Sequence, residues 1–189
     1  VQMFCKKETK RVIEGLWNYL DTGTNVDAGC QVKNPVSSYT CDEMARQEWE
    51  SFFQDYSHAL GLSSELPEVG SFLTNSDLGK PILMTRDEQG RFRAFLNVCR
   101  HRGAILEEKE RGRRRLFSCP FHGWGYSSAG GLISVPKEDQ FGDIDKSCNG
   151  LVELPAEEKH GILWVHPDPN GSFDLEAQLG DLAAEFDSW

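Results

Sequence analysis

Residues 9–20, TKRVIEGLWNYL, set Val12, Ile13, Leu16, Trp17 and Leu20 on one stripe at helical spacing. This predicts an amphipathic helix, stopped by Asp21, Thr22 and Gly23. Residues 24–39 are polar and marked by Gly and Pro, which reads as a loop. A second helix is expected next. Thr40 and Glu43 have capping-box spacing, Ala45, Trp49, Phe52, Phe53, Tyr56 and Leu60 share a face, and Gly61 sits where such a helix would stop. After Pro67 the period changes from helical to alternating. PILMTR (81–86), DEQG (87–90) and RFRAFLNV (91–98) read as strand, turn, strand, with Phe92, Ala94, Leu96 and Val98 inward and Arg91, Arg93, Phe95 and Asn97 outward. Further short strands are expected at Arg115–Ser118, Gly125–Ser127, Leu132–Val135, Leu151–Leu154 and Gly161–His166, with Gly130-Gly131 as a hairpin turn. DPNG (168–171) closes this region. In the tail, Phe173, Leu175, Leu179, Leu182 and Phe186 return to roughly helical spacing, and apolar surface running to Trp189 is expected to promote self-association.

Short strands with frequent turns predict a mainly β fold, a small antiparallel sandwich or barrel behind a helical extension. The divisions expected are 1–64 for that extension, 65–168 for the β domain and 169–189 for the start of a linker. The 39% hydrophobic and 26% charged content is that of a globular protein with a core. No run approaches the roughly 20 apolar residues of a membrane span. The opening VQMFCKKETK has no signal-peptide core and no initiator Met, so a cytoplasmic location and a processed or excised piece are expected. A net charge of −10 argues against nucleic acid as a partner. That charge is uneven: Lys80 to Arg115 holds 11 basic residues against 5 acidic ones. Either this is a solvated hairpin or it is a docking patch for an acidic protein, with Arg100 and Arg102 foremost and Arg113, Arg114 and Arg115 as candidates.

Two stretches carry the chemistry. NVCRHRGA (97–104) contains Cys99 and His101, and SCPFHGWGY (118–126) contains Cys119 and His122. A Cys99–Cys119 disulfide would leave the histidines unexplained. A structural zinc site is a serious rival, since two Cys and two His suit tetrahedral zinc. Zinc fingers, however, usually pair Cys with Cys and His with His, whereas here each loop supplies one of each. That alternation suits a two-iron cluster, with Cys99 and Cys119 on one iron and His101 and His122 on the other. Neutral imidazoles in place of thiolates lower the negative charge and raise the potential above that of an all-Cys cluster. Gly103 and Gly123 allow tight turns, Pro120 stiffens the second loop and Trp124 offers an apolar cover. The remaining cysteines, Cys5, Cys30, Cys41 and Cys148, read as free thiols.

The arrangement CRHRGA…CPFHGW resembles the Rieske iron–sulfur motif of the large (alpha) subunit of non-haem ring-hydroxylating oxygenases. ELPEVGSFLT, PILMTRDEQGRFRAFLNVCRHRGA, FSCPFHGWGYSSAGGLISVP and GLVELPAEEKHGILWV extend the likeness over about residues 40–167. The resemblance implies an inner iron on Cys99 and Cys119 and an outer iron on His101 and His122. Respiratory and photosynthetic Rieske proteins carry an extra Cys in each loop and a Ser that bonds a bridging sulfide. Those positions here are Ala104, Phe121 and Trp124, which places the sequence with the oxygenases or the Rieske ferredoxins.

The resemblance further implies an electron donor, a ferredoxin or flavin reductase, and an acceptor, a mononuclear iron in a following catalytic domain of a neighbouring alpha subunit. No convincing ligand set for that second iron is found in this sequence. Asp55 and His58 are expected in the second helix, and His160 and His166 fall on or beside a strand pair. The function expected is one-electron transfer within an aromatic-ring-hydroxylating oxygenase. A free-standing Rieske ferredoxin and a zinc-binding module are the alternatives.

Overall fold

The computed structural model describes residues 2–25 and 29–186, with side chains from Lys6 onward. The chain divides into two units, residues 46–178 and residues 1–45 with 179–189. In the smaller unit, α1 (Gln2–Thr22) is longer than the expected helix at both ends. Its stripe of Val12, Ile13, Leu16, Trp17 and Leu20 is exposed. A short helix, α2 (Ser37–Thr40), lies within the expected loop.

The second helix is the largest departure from expectation. Helix α3 covers only Asp42–Glu48, a single wide π-helical turn follows at Trp49–Gln54, and His58–Leu62 is a strand, β1. The Thr40 hydroxyl donates backward to the Val36 carbonyl, and Thr40 ends α2 instead of opening the next helix. Trp49 and Phe53 stack with ring centroids 5.0 Å apart, and the expected apolar face stays largely open to solvent. Pairing with strand β11 (Ile162–Val165) overrides helical periodicity from His58 on, and Gly61 lies at an irregularity in that pairing instead of capping a helix.

The larger unit is built from three antiparallel sheets. The central one has the order β5-β2-β3-β4-β9, from β2 (Ser71–Asn75), β3 (Ile82–Arg86), β4 (Phe92–Leu96), β5 (Arg111–Arg113) and β9 (Glu153–Leu154). A second has the order β1-β11-β10, with β10 at Ala156–Lys159. The third is the meander β6 (Leu116–Ser118), β7 (Gly125–Ser127) and β8 (Leu132–Ser134). Strands β2, β5 and β10 were not expected from the sequence, and the Gly130-Gly131 turn lies between β7 and β8 as expected.

The central sheet is buried on both faces. Phe72, Leu83 and Phe95 enter one core with Phe117, Trp124 and Tyr126, while Leu73, Ile82, Met84 and Ala94 enter a second core with Leu163 and Val165. Strict alternation therefore serves two cores here, and Phe95, expected outward, is buried. Opposite charges cover the rim: Arg86 forms a two-pronged pair with Glu158, and Arg93 reaches Glu153 at 2.7 Å. The tail forms two short helices, α4 (Leu175–Leu179) and α5 (Leu182–Phe186), with Leu175 and Ala183 buried. Trp189 lies outside the described residues. Among the described residues, no helix is long and apolar enough to cross a membrane.

Candidate metal centre

The two Cys/His loops are near copies of one turn. In the first, the Cys99 N–H donates to the Ala104 carbonyl at 2.8 Å and the Gly103 N–H to the Cys99 carbonyl at 3.0 Å. In the second, the Cys119 N–H donates to the Trp124 carbonyl at 2.8 Å and the Gly123 N–H to the Cys119 carbonyl at 2.9 Å. Gly103 and Gly123 hold φ of 72° and 74°, the left-handed conformation that closes each turn at little cost only for glycine. Their Cys and Gly positions coincide, but the His falls two residues after Cys99 and three after Cys119.

Each turn is anchored to the sheets. The first leaves β4 through buried Asn97, whose side chain bridges to both the backbone N–H and the carbonyl of Glu107 on the return, and Val98 and Ile105 form an isolated bridge between. Buried Glu107 takes an ion pair from Arg114 at 2.9 Å. The second turn connects β6 and β7, which pair from Leu116–Ser127 to Ser118–Gly125.

These anchors bring the predicted residues together in two pairs. Cys99 and Cys119 are buried, unbridged and adjacent. His101 and His122 lie nearer the surface with ring centroids 4.8 Å apart. Burial pushes the Cys119 thiol up, and the neighbouring Cys99 adds to this, while the backbone N–H groups of Phe121 and His122 aimed at its sulfur pull the other way. Those N–H groups favour a thiolate, the form that binds metal. Desolvation, then His122 and Arg102, lowers the His101 pKa, so its ring favours the neutral state that a metal requires.

Trp124, expected as an apolar cover, stacks on His101 at 4.9 Å and 7°. Phe141, from the loop after β8, meets the same imidazole edge-on at 5.3 Å. The Trp124 indole nitrogen is buried with no partner in the protein. His122 is exposed, with the Phe121 ring 3.9 Å away. Tyr126 was not foreseen as part of the site. Its hydroxyl accepts the Arg100 N–H at 3.0 Å and lies 3.4 Å from the Cys99 sulfur, leaving its own hydrogen free to point at that sulfur. A Tyr seven residues after Cys119 was the only signal, since the sulfur it reaches is in the other loop.

The pairing of the donors suits a two-iron cluster. A two-iron cluster asks for pairs, and the pairs here are soft buried sulfur and outward nitrogen. The spare histidines lie elsewhere: His58 opens β1 and stacks on Phe53, His160 sits in the β10–β11 turn, and buried His166 accepts the Asp168 N–H. Asp55 and His58 therefore do not share a helix as expected.

The basic segment is less open than its composition suggests. Arg113 pairs with Glu68 and Arg114 with Glu107. Among the described residues, Arg100, Arg102 and Arg115 are exposed without an ion pair.

Residues 57–155 match the Rieske [2Fe–2S] domain family. The chain is 33% identical over 144 residues to the biphenyl 2,3-dioxygenase subunit alpha of Rhodococcus jostii (strain RHA1), covering 76% of this chain and 31% of that protein. It is 39% identical over 149 residues to the large oxygenase component of a naphthalene 1,2-dioxygenase system from a Ralstonia species, covering 75% and 32%. Among solved structures it resembles a quaternary ammonium Rieske monooxygenase in complex with L-carnitine, with a TM-score of 0.74 and 28% identity over 82% of this chain and 44% of that one. The chain thus spans about a third of the length of these curated relatives.

Proposed function

This chain belongs to the Rieske [2Fe–2S] domain family, and on that premise we propose that it is the electron-transfer portion of a ring-hydroxylating oxygenase alpha subunit. Electrons would come from a ferredoxin or flavin reductase and go to a mononuclear non-haem iron that activates oxygen in the catalytic domain of a neighbouring alpha subunit. Cys99 and Cys119 would hold the inner iron, and His101 and His122 the outer one. The cluster, when bound, supplies one-electron storage. The observation that supports this reading is the pair of matched turns, which carry two adjacent buried thiols and two more exposed imidazoles 4.8 Å apart.

The protein's own groups have separable tasks. The N–H groups of Phe121 and His122 and the Tyr126 hydroxyl are aimed at sulfur. Trp124 and Phe141 box in His101 and limit its contact with water. Exposed His122 offers the shortest route to a docked partner. Arg100, Arg102 and Arg115 form the cationic margin for an acidic donor.

The divisions 1–64, 65–168 and 169–189 belong to this proposal, with β1 a strand contributed to the β domain from before residue 65. So does a cytoplasmic location, where thiols stay reduced. On this reading the chain alone accepts an electron and oxygenates nothing, because both irons of such a cluster are fully coordinated.

Iron and acid-labile sulfide analysis of anaerobically purified protein tests the assignment. About two irons and two sulfides per chain are expected, with assembly lost in Cys99→Ser and Cys119→Ser. One zinc and no sulfide would refute it. A free-standing ferredoxin would have the same metal content. It would differ in passing electrons to a soluble acceptor with no oxygenase component present.

A further inference from the structure

Three separate segments bring an aromatic ring to one corner of the candidate centre. His101 comes from the first turn, Trp124 from the second and Phe141 from the loop of residues 136–149 after β8. Trp124 lies almost parallel to the imidazole, 4.9 Å away and tilted by 7°. Phe141 stands edge-on to both rings, at 5.3 Å and 83° to His101 and at 5.9 Å and 76° to Trp124. Stacked and edge-on contacts at these separations are the favourable ones for ring pairs. The loop that carries Phe141 is held at several points. Pro136 packs on the second turn, its Cγ 3.0 Å from where a Cβ on Gly123 would stand. Ile144 packs against the core that includes Cys99 and Cys119. Lys146 pairs with Glu138 at 2.8 Å, and the Asn149 side chain donates to the Asp145 carbonyl at 2.8 Å.

We propose that Phe141 is a positioning residue for the His101 imidazole, an inference that rests on the cluster reading above. A metal-ligating His is usually oriented by a hydrogen bond from its second ring nitrogen. Among the described residues, His101 has no such bond. Trp124 is not pinned in that way either, since its indole nitrogen has no hydrogen-bond partner among the described residues. Two stacked rings without hydrogen bonds can turn as a unit. Phe141 meets both of them with its edge and blocks that turn, so it does for the imidazole plane what a hydrogen bond would otherwise do. His122 is held differently: it is exposed, and the Phe121 ring beside it is tilted by 42°. Phe141 therefore acts on one of the two imidazoles and not on the other.

Electron–nuclear double resonance on the reduced holoprotein, isotope-labelled at the histidine nitrogens, tests it, with iron and acid-labile sulfide measured on the same samples. Phe141→Leu and Phe141→Met keep an apolar side chain and remove the ring. Each should shift one of the two ligand-nitrogen couplings and leave the other in place. Phe141→Tyr keeps the ring and should give the wild-type spectrum. Iron loss to an external chelator should be about tenfold faster in Phe141→Leu and Phe141→Met, the lower end of the usual cost of removing a group that orients a ligating His. Couplings unchanged in both overturn the proposal. An equal shift of both couplings also overturns it, because that is a general loosening of the domain. So does a Phe141→Tyr protein that behaves like Phe141→Leu. Wild-type protein without iron and sulfide would instead overturn the cluster reading, and this inference with it.

Discussion

Replacing Tyr126 by Phe isolates one hydrogen bond at the candidate centre. The ring is fully buried, in the core shared with Phe72, Phe95 and Phe117, so Phe preserves the packing and removes only the hydroxyl. Burial, with the adjacent Cys99, pushes the phenol pKa well up, so the group is a neutral donor at every working pH. The 3.4 Å separation from the Cys99 sulfur is ordinary for a sulfur acceptor, and the Arg100 N–H already occupies the oxygen's acceptor side. With Cys99 holding the proposed cluster, reduction would make its sulfur more negative, so the donated bond would stabilise the reduced state more than the oxidised one. A net bond of about 0.5–1.5 kcal/mol bounds that difference. For one electron this corresponds to a potential lowered by roughly 20–60 mV. A redox titration of matched wild-type and Tyr126→Phe proteins, followed by electron paramagnetic resonance, measures it. An unchanged or raised potential would refute the hydrogen bond to Cys99.

Other consequences can be checked in the same preparations. The potential is expected near the low end of the Rieske range, about −150 mV, because Ala104, Phe121 and Trp124 replace the loop cysteines and the sulfide-bonding Ser. It should fall as pH rises through the ligand-histidine pKa of the oxidised cluster, since reduction favours protonated imidazole and deprotonation therefore favours the oxidised form; voltammetry from pH 6 to 10 would reveal a flat profile if this is wrong. Arg100→Glu with Arg102→Glu should slow reduction by an acidic ferredoxin and flatten its salt dependence, whereas Arg113→Glu should act mainly on stability through its pair with Glu68; stopped-flow rates that do not separate the two would count against the docking margin. Gly171→Ala should destabilise the domain by about 1–3 kcal/mol, because its Cβ would lie 2.0 Å from Nδ1 of buried His166. An unchanged melting temperature would contradict that close approach.

The sequence by itself determined what short-range chemistry controls. The spacing of Cys99, His101, Cys119 and His122, the turn-forming Gly103 and Gly123, and the hairpin over 81–98 all rest on neighbours within a few residues. So does the Gly130-Gly131 turn. Tertiary structure decided the rest, where the deciding partner is distant in the chain. Residues 58–62 carry a helical pattern, yet they become β1 because Ile162–Val165 supplies their hydrogen bonds across about a hundred residues. Phe95 reads as outward by alternation, and it is buried because a second core lies on that face. Arg113 and Arg114 look like free charges until Glu68 and Glu107 arrive beside them. Tyr126 reads as an ordinary strand residue until β7 carries its hydroxyl to the sulfur of the other loop. Local spacing selects the candidate ligands, and long-range pairing selects which groups surround them, because a hydrogen bond or an ion pair depends on distance in space and not on distance along the chain.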